Sequence, residues 1–486
     1  MGIYLLYFCV FHKEQYIDLA YLLLESLYKY GEIDETIDVL IYTTTDFAAK
    51  MQQNPLCKRV IFKVNDTYRS IPEACKSRLD IFDFPEFRTY NTFLYLDTDI
   101  LIRYDIKPVF RACTKELLYA VEEGSLDMEV PYDYWGKTLF SPEELAALED
   151  RTGFSSGVLL FQNTIVVREL FGNIRTHMNS GTPHEFHDQP YFVYHAKRAG
   201  LIDNQTLKAY VGINDRSLQT MKTILHFAGS PGDHESKYTK MARYMKELAA
   251  KPRVVTTFGS CRVSYVTNNT RLGDMLTYTH TTKEVVQLIR YIKGDLQLAP
   301  PYDTICFRTA ILRDQPIKYE PLFKNVFDMT DVFLVEVCSR KKYVHANLCL
   351  HDIAVDARFP DLHRNTPPQI LEEHVMVKQT DEEIRQDLLE IRELVFPRKV
   401  VVVSHYNAKL DGAYLPARSE LIAALRGICE ETGIPFLDPT EILSLFPQEA
   451  ILQPDLSHYT GTGFRAFNTI VDSFLGEING IRMCQS

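Results

Sequence analysis

The chain has 486 residues, 46% of them hydrophobic and 24% charged, so it is not a disordered chain and is too long for one ordinary domain; two or three cores are expected. Its net charge of −11 argues against general binding to nucleic acid or anionic membranes, while leaving room for a local basic site that takes a phosphorylated ligand. No apolar run is long enough to span a bilayer, and the 10 cysteines, scattered without a CxxC pair, suit reduced thiols in a cytoplasmic compartment.

The opening "GIYLLYFCVF" (2–11) reads as a first buried strand and not as a signal peptide, because it has neither a basic flank nor a small-residue cleavage site. "YIDLAYLLLESLYKY" (16–30) has helical apolar spacing. Strands follow at "TIDVLIYTT" (36–44) and "RVIFKV" (59–64), and "SRLDIFDFPEF" (77–87) reads as helical up to its proline. "FLYLDTDILI" (93–102) is expected to be a strand again. Strands separated by helices predict a mainly parallel, doubly wound sheet, with ligands at the carboxyl ends of its strands.

Asp97 and Asp99 interrupt the last of these apolar runs. In extended backbone, residues two apart share one side, so both carboxylates face the same way. Two like charges a few ångströms apart repel, and a divalent cation cancels the penalty. Mg²⁺ or Mn²⁺ suits carboxylate oxygen and keeps positions for phosphate oxygens. The same pair can instead end a strand in water or cap the next turn, and the motif alone leaves both readings open. His226 taken alone reads as a packed or capping residue.

Further blocks follow in order: Ser155-Ser156-Gly157 in "TGFSSGVLLF", Asp188-Gln189 in "HDQPYF", and His226 to Gly229 in "HFAG". With the Asp97-Thr98-Asp99 block, this series resembles the glycogenin-like glycosyltransferase family 8, over about residues 3–245. The resemblance implies a GT-A (Rossmann-like) nucleotide-sugar domain and a retaining transfer from a UDP-sugar to a glycan or glycolipid acceptor. It implies metal ligation by Asp97, Asp99 and His226, with Mn²⁺ or Mg²⁺ as cofactor. It further implies donor contacts at Thr98, Ser156, Gly157 and Gly229, a basic donor contact at Arg78, and Asp188 and Gln189 beside the transferred sugar. Lys237 is the candidate phosphate contact, displaced from the family's usual spacing by "SPGDHES" (230–236). Tyr16 is the candidate for stacking on the base. The family's asparagine before Ser156-Gly157 is replaced here by Ser155.

The pattern changes after "MKELAAKPR" (245–253), where a helix ends and Pro252 follows. A second α/β alternation then begins, so the expected domains are 1–250 and 251–486. Its expected strands are "VVTTF" (254–258), "YDTICF" (302–307), "DVFLVEVC" (331–338), "KVVVVSHY" (399–406) and "IPFLD" (434–438). "TKEVVQLIRYI" (282–292) and "DEEIRQDLLEIRELV" (381–395) read as helices.

Gly259-Ser260-Cys261 after the first strand and Asp455-x-x-His458 before the last helix resemble the SGNH/GDSL hydrolase superfamily over about 253–475. The resemblance implies a three-layer α/β domain, with Asp455 as orienting acid, His458 as general base, and either Cys261 or Ser260 as nucleophile. Glu336 and Ser339 stand where the superfamily's oxyanion asparagine is expected; a carboxylate there opposes an oxyanion, and Arg262 could compensate or hold an anionic ligand. His280 and His405 read as structural. If active, this domain would remove or transfer an acyl group on the glycan. Two alternatives stand beside this reading: a carbohydrate esterase or acyltransferase carrying a degenerate sugar-nucleotide module, and a non-catalytic glycan-binding scaffold.

Overall fold

The computed structural model describes residues 3–129, 132–180, 184–229, 235–251, 253–270, 272 and 276–478. The chain forms two compact units, residues 1–250 and 251–486; Pro252 lies outside the described residues, as do 230–234 of the "SPGDHES" stretch. Among the described residues no helix is long and apolar enough to cross a membrane.

The first unit is built on strands β1 (Tyr4–Val10), β2 (Ile37–Thr43), β3 (Val60–Val64), β4 (Thr92–Leu96), β5 (Ile100–Ile102), β6 (Leu118–Ser125), β7 (Thr152–Gln162), β8 (Ile202–Asp203), β9 (Val211–Ile213) and β10 (Ile224–His226). Seven of them form one sheet in the order β3-β2-β1-β4-β7-β6-β8, and β5, β10 and β9 form a small second sheet. The period of two is visible in the packing. Leu6, Phe8 and Val10 of β1 join Leu94 and Leu96 of β4 in one core, while Leu5, Tyr7, Phe93 and Tyr95 join the core on the opposite face. Both faces are covered, which is why β1 and β4 are nearly continuous apolar runs. Helix Gln15–Tyr30 lays Ile17, Ala20, Leu23, Leu24 and Leu27 into the first of these cores.

The main sheet is mainly parallel, as expected: four of its six pairings are parallel, and β7 runs antiparallel to both β4 and β6. One expectation is corrected: "FLYLDTDILI" is not one strand. The chain leaves the main sheet after Leu96, turns through Asp97-Thr98-Asp99, and enters β5, which pairs antiparallel with β10. A strand that continued straight would keep its second half in the large sheet; the corner instead delivers Ile100–Ile102 to a different partner.

The second unit has a four-stranded parallel sheet of β11 (Val255–Phe258), β12 (Val332–Val337), β16 (Lys399–Ser404) and β19 (Phe436–Leu437), in that order. Between them lie a three-stranded sheet, β13 (Lys341–His345), β14 (Leu348–Leu350) and β15 (Val375–Lys378), and a hairpin, β17 (Lys409–Leu410) with β18 (Ala413–Tyr414). Phe333, Val335, Val400 and Val402 face one core; Val332, Leu334, Val401 and Val403 face the other. Helices Thr282–Lys293 and Asp381–Val395 pack into the first core and helix Gly461–Glu477 into the second, giving three layers. The expected strand "YDTICF" is instead a short helix, Tyr302–Ile305, leading to helix Arg308–Arg313. Its three apolar residues, Ile305, Cys306 and Phe307, reach the first core without pairing, an ambiguity that a short apolar run carries on its own.

Leu334 is fully buried, whereas Leu445 is 81% exposed. Leu334→Ala should lower unfolding stability by about 2–5 kcal/mol, and Leu445→Ala should leave it nearly unchanged. Chemical denaturation of both variants checks this; equal, small shifts would contradict the described packing.

Candidate functional site

The corner after β4 gathers side chains from three strands. Leu96 pairs with Val158, so the next residues face each other and the Asp97 amide donates to the Gly157 carbonyl at 2.8 Å. His226 pairs with Ile100, and the Phe227 amide donates to the Asp99 carbonyl at 2.9 Å. Strand register alone therefore sets the imidazole beside both aspartates. One donor atom from each of Asp97, Asp99 and His226 lies within 4.8 Å of the others. A Cβ on residue 157 would lie 2.5 Å from His226 Cε1 and 2.9 Å from Asp97 Oδ2, so only glycine lets β7 close here.

The negative charge is answered by two cations, Lys237 and Arg78, and by the imidazole of His226. His226 Nε2 is 3.4 Å from Asp99 Oδ1, and Lys237 Nζ donates to Asp99 Oδ2. Burial pushes the Asp99 carboxyl up, but His226 and Lys237 outweigh it and hold it below the usual range. Arg78, itself buried, spans the other side: its Nη2 is 3.2 Å from Asp97 Oδ1 and its Nε 3.2 Å from Asp188 Oδ2. Its Nη1 donates to the Ser156 carbonyl at 2.7 Å, and its guanidinium stacks 4.3 Å from the Tyr95 ring centre. Tyr95 also donates to Asp97 at 2.7 Å. Asp188 is pushed up to about 6 by burial, against the pull of Arg78.

Tyr16, Arg78, Asp97, Thr98, Asp99 and Lys237 line one cavity of about 180 Å³. Gly229 sits beside Lys237, 3.7 Å from its Cε by the position a Cβ would take. Gln189 opens helix Gln189–Ala199 and is occupied on both ends of its amide: Oε1 accepts from the Ser156 amide and Nε2 donates to the Tyr134 carbonyl, both at 3.1 Å. It ties the β7 edge to the loop before Trp135. Ser155 accepts from the Gly157 amide at 3.3 Å.

The donor set suits a divalent cation of the manganese or magnesium class: two carboxylates that line the cavity and one imidazole beside them. His226 Nδ1 is buried and has no hydrogen-bond partner among the described residues. The sequence reading passed over Tyr95 and Glu123. Glu123 is pushed up by burial while the nearby His226 and a hydrogen bond to Ser155 pull it down, which puts a third carboxyl near the cluster. Its signal is the one that marked Asp97: acidic residues closing the apolar run "LLYAVEEGS" (117–125).

In the second unit, Gly259 ends β11 with φ +152°, and a Cβ there would lie 2.6 Å from Glu336 Cβ. The turn brings the next two residues to different fates. Ser260 is buried, and both its amide and its hydroxyl donate to Glu336 Oε2, at 2.8 and 2.6 Å. Glu336 is thus turned to Ser260 and occupied there. Cys261 is half-buried; its amide donates to the Tyr278 hydroxyl at 2.8 Å, and its thiol makes a hydrogen-bond contact with the same hydroxyl. Arg262 donates through Nε and Nη2 to the Ser457 and Leu456 carbonyls. Arg418 donates to the Leu456 carbonyl as well, at 2.9 Å. These bonds dock the turn onto the Asp455–His458 loop, where His458 Nδ1 meets Asp455 Oδ2 at 2.6 Å. The Ser457 and His458 amides donate to the other Asp455 oxygen, both at 2.9 Å. His405 is driven well below its usual range by burial and by Arg262 and Arg418.

A family model described as the TviD N-terminal domain matches residues 253–369 and 363–471. The Vi polysaccharide biosynthesis protein TviD of Salmonella typhi is 23% identical over 252 residues, covering 42% of this chain and 29% of that protein. The chain therefore spans less than a third of that relative. Among solved structures, the bifunctional glycosyltransferase WbbM overlaps 51% of each chain at 12% identity and a TM-score of 0.38. The galactosyltransferase LgtC, in complex with donor and acceptor sugar analogues, overlaps 51% of this chain and 97% of its own at 13% identity and a TM-score of 0.36.

Gly259→Ala combines an unfavourable φ with a clash against Glu336 and Val263. It should destabilise the protein by about 2–4 kcal/mol, read as a drop in the denaturation midpoint; an unchanged midpoint would contradict the turn described here.

Proposed function

We propose that the first unit is a metal-dependent glycosyltransferase that moves a sugar from a UDP-sugar to a glycan or glycolipid acceptor. The observation that carries this reading is the convergence of Asp97, Asp99 and His226, with Asp97 and Asp99 lining a cavity that also holds Tyr16 and Lys237. When bound, a divalent cation supplies positive charge against the negative charge that develops on the departing diphosphate. Lys237 exchanges its bond to Asp99 for one to a phosphate oxygen, so that its charge acts where the transition state needs it. Arg78 keeps Asp97 and Asp188 at a fixed separation, and Gln189 holds the β7 edge that carries Ser156 and Gly157. Tyr16 offers its ring to the base at the start of helix Gln15–Tyr30. Asp188, buried and raised, lies across Arg78 from the ligand set and faces the sugar. Retention of anomeric configuration belongs to this reading through the sequence resemblance. The likeness to a polysaccharide biosynthesis protein is in keeping with a glycan acceptor.

For the second unit we infer acyl removal or transfer on the same glycan, with Cys261 as nucleophile. Ser260 is unsuited because its hydroxyl is committed to Glu336, while the half-buried Cys261 thiol stays accessible. Asp455 holds the His458 imidazole through Nδ1, leaving Nε2 to take the thiol proton. The carbon–oxygen bond of the ester breaks as the thioester to Cys261 forms, and a hydroxyl or water then releases the acyl group.

A screen of UDP-sugars with Mn²⁺, following UDP release, tests the first unit. Asp99→Ala should lower turnover by about 10³-fold or more, and Lys237→Ala by about 10²–10³-fold, with the fold intact. Full activity in both variants would reject the proposal. For the second unit, turnover of an acetylated glycan should vanish in Cys261→Ala and His458→Ala but survive Ser260→Ala. Loss in Ser260→Ala with Cys261→Ala active would reverse the nucleophile assignment.

A further inference from the structure

We propose that His280, His351 and Asp352 form a second cation site, in the second unit, that takes Zn²⁺ or a related late transition metal. The residues come from two backbone segments, His280 from one and the consecutive pair His351-Asp352 from the other. The His280 amide donates to Glu284 at 2.8 Å, and its carbonyl accepts from the Cys338 and Ser339 amides at 3.1 and 3.0 Å. The His351 amide donates to the Ile305 carbonyl at 3.0 Å, and Asp352 opens the short turn Asp352–Ala354. The Ile353 amide donates to both Asp352 Oδ1 and His351 Nδ1, at 2.8 and 3.4 Å, which fixes that pair, while His280 is held from its own segment.

Their spacing fits shared ligands of one ion. His351 Nδ1 is 2.9 Å and His280 Nδ1 3.7 Å from Asp352 Oδ1, and one donor atom of each residue lies within 4.8 Å of the others. Metal bonds of about 2.1 Å set neighbouring ligand atoms roughly 3.0–3.4 Å apart, between those two distances. The ring centres of the two imidazoles are 5.2 Å apart.

His351 also has an unmet need. Its side chain is 1% exposed, and Nε2 has no hydrogen-bond partner among the described residues. If Nδ1 carries the proton it donates to Asp352 and leaves Nε2 a bare buried lone pair. In the other tautomer Nδ1 accepts from the Ile353 amide at 3.4 Å but its lone pair also faces a carboxylate oxygen at 2.9 Å, a repulsion that a cation on Nδ1 removes, while the Nε2 proton keeps no acceptor among the described residues. The charged group facing the cluster from outside is Arg358, whose Nη2 is 4.0 Å from Asp352 Oδ2. The His280 and Asp352 side chains keep 23% and 22% of their surface exposed, so a coordination face stays open to solvent. Two nitrogens and one oxygen favour zinc, cobalt or nickel over magnesium, unlike the two-carboxylate cluster of the first unit. The Tyr278 ring lies 6.0 and 6.2 Å from the two imidazoles, and its hydroxyl meets Cys261. The ion would therefore sit one ring's breadth from the Gly259 turn.

The test uses the full chain carrying Asp97→Asn and Asp99→Asn, titrated with Co²⁺ and then with competing Zn²⁺ or Mg²⁺. One saturable equivalent should appear with visible d–d bands, be displaced by Zn²⁺ and not by Mg²⁺, and weaken about 10–100-fold or more on adding His280→Ala or Asp352→Asn. Metal-free far-ultraviolet circular dichroism identifies which of these two variants retains the fold, and the retained one decides. Absence of a saturable equivalent in the parent chain, or unchanged binding in a folded variant, would overturn the proposal.

Discussion

Asp97 and Asp99 put two negative charges at the mouth of a strand that is apolar on both faces, and much of the first unit answers the cost of that. Two unit charges 4 Å apart interact by about 4 kcal/mol at an effective dielectric of 20. Several neighbours of the pair reduce this repulsion. Arg78 bridges Asp97 to Asp188, Lys237 and His226 flank Asp99, and Tyr95 donates to Asp97. These groups are held by different parts of the chain, so the corner is also where β4, β7, β10 and helix Lys237–Ala250 are brought into register. A buried arginine spanning two carboxylates is expensive to disrupt, because removing it leaves both uncompensated.

Lys237 stands apart from the other cation, Arg78. Its ammonium is a point charge on a flexible stem, and it shares Asp99 with His226. A flexible charge on a metal-type carboxylate can be released to a phosphate without rebuilding the sheet. Arg78 has no such freedom, since its guanidinium is committed to Asp97, Asp188 and the Ser156 carbonyl. The division between a movable and a fixed cation gives the cavity both an adaptable side and a rigid one.

The second unit separates its adjacent nucleophile candidates by the same logic. Backbone freedom at Gly259 lets the turn bring Ser260 against Glu336 while Cys261 turns to Tyr278. Buried Arg262 and half-buried Arg418 then clamp the carbonyl of Leu456, a residue at φ +57° within the Asp455–His458 loop. The turn and the loop are therefore positioned by one shared set of bonds.

Strand and helix alternation was legible because the apolar periods are strong: β1, β2, β4, β12 and β16 carry their faces in plain alternation or in continuous runs. The Asp97–Asp99 corner was not, because one apolar sequence serves two sheets and its only polar interruption, Asp97-Thr98-Asp99, is equally at home inside a strand whose carboxylates face a ligand. "YDTICF" misled for the opposite reason, its three apolar residues being too few to distinguish a strand from a helix end. Convergence of Asp97, Asp99 and His226 was suggested by motif order, but Glu123 reaches the same place through the pairing of β6 with β7, which sequence distance hides, while Tyr95, two residues from Asp97, reads as one more buried aromatic of the strand. The central claim is that Asp97, Asp99 and His226 share one cation while Lys237 serves a phosphate. A crystal structure with Mn²⁺ and UDP tests it most directly. The account predicts anomalous density ligated by all three side chains, with Lys237 moved from Asp99 onto a diphosphate oxygen. Manganese bound elsewhere, or Lys237 still paired with Asp99 beside a bound nucleotide, would contradict it.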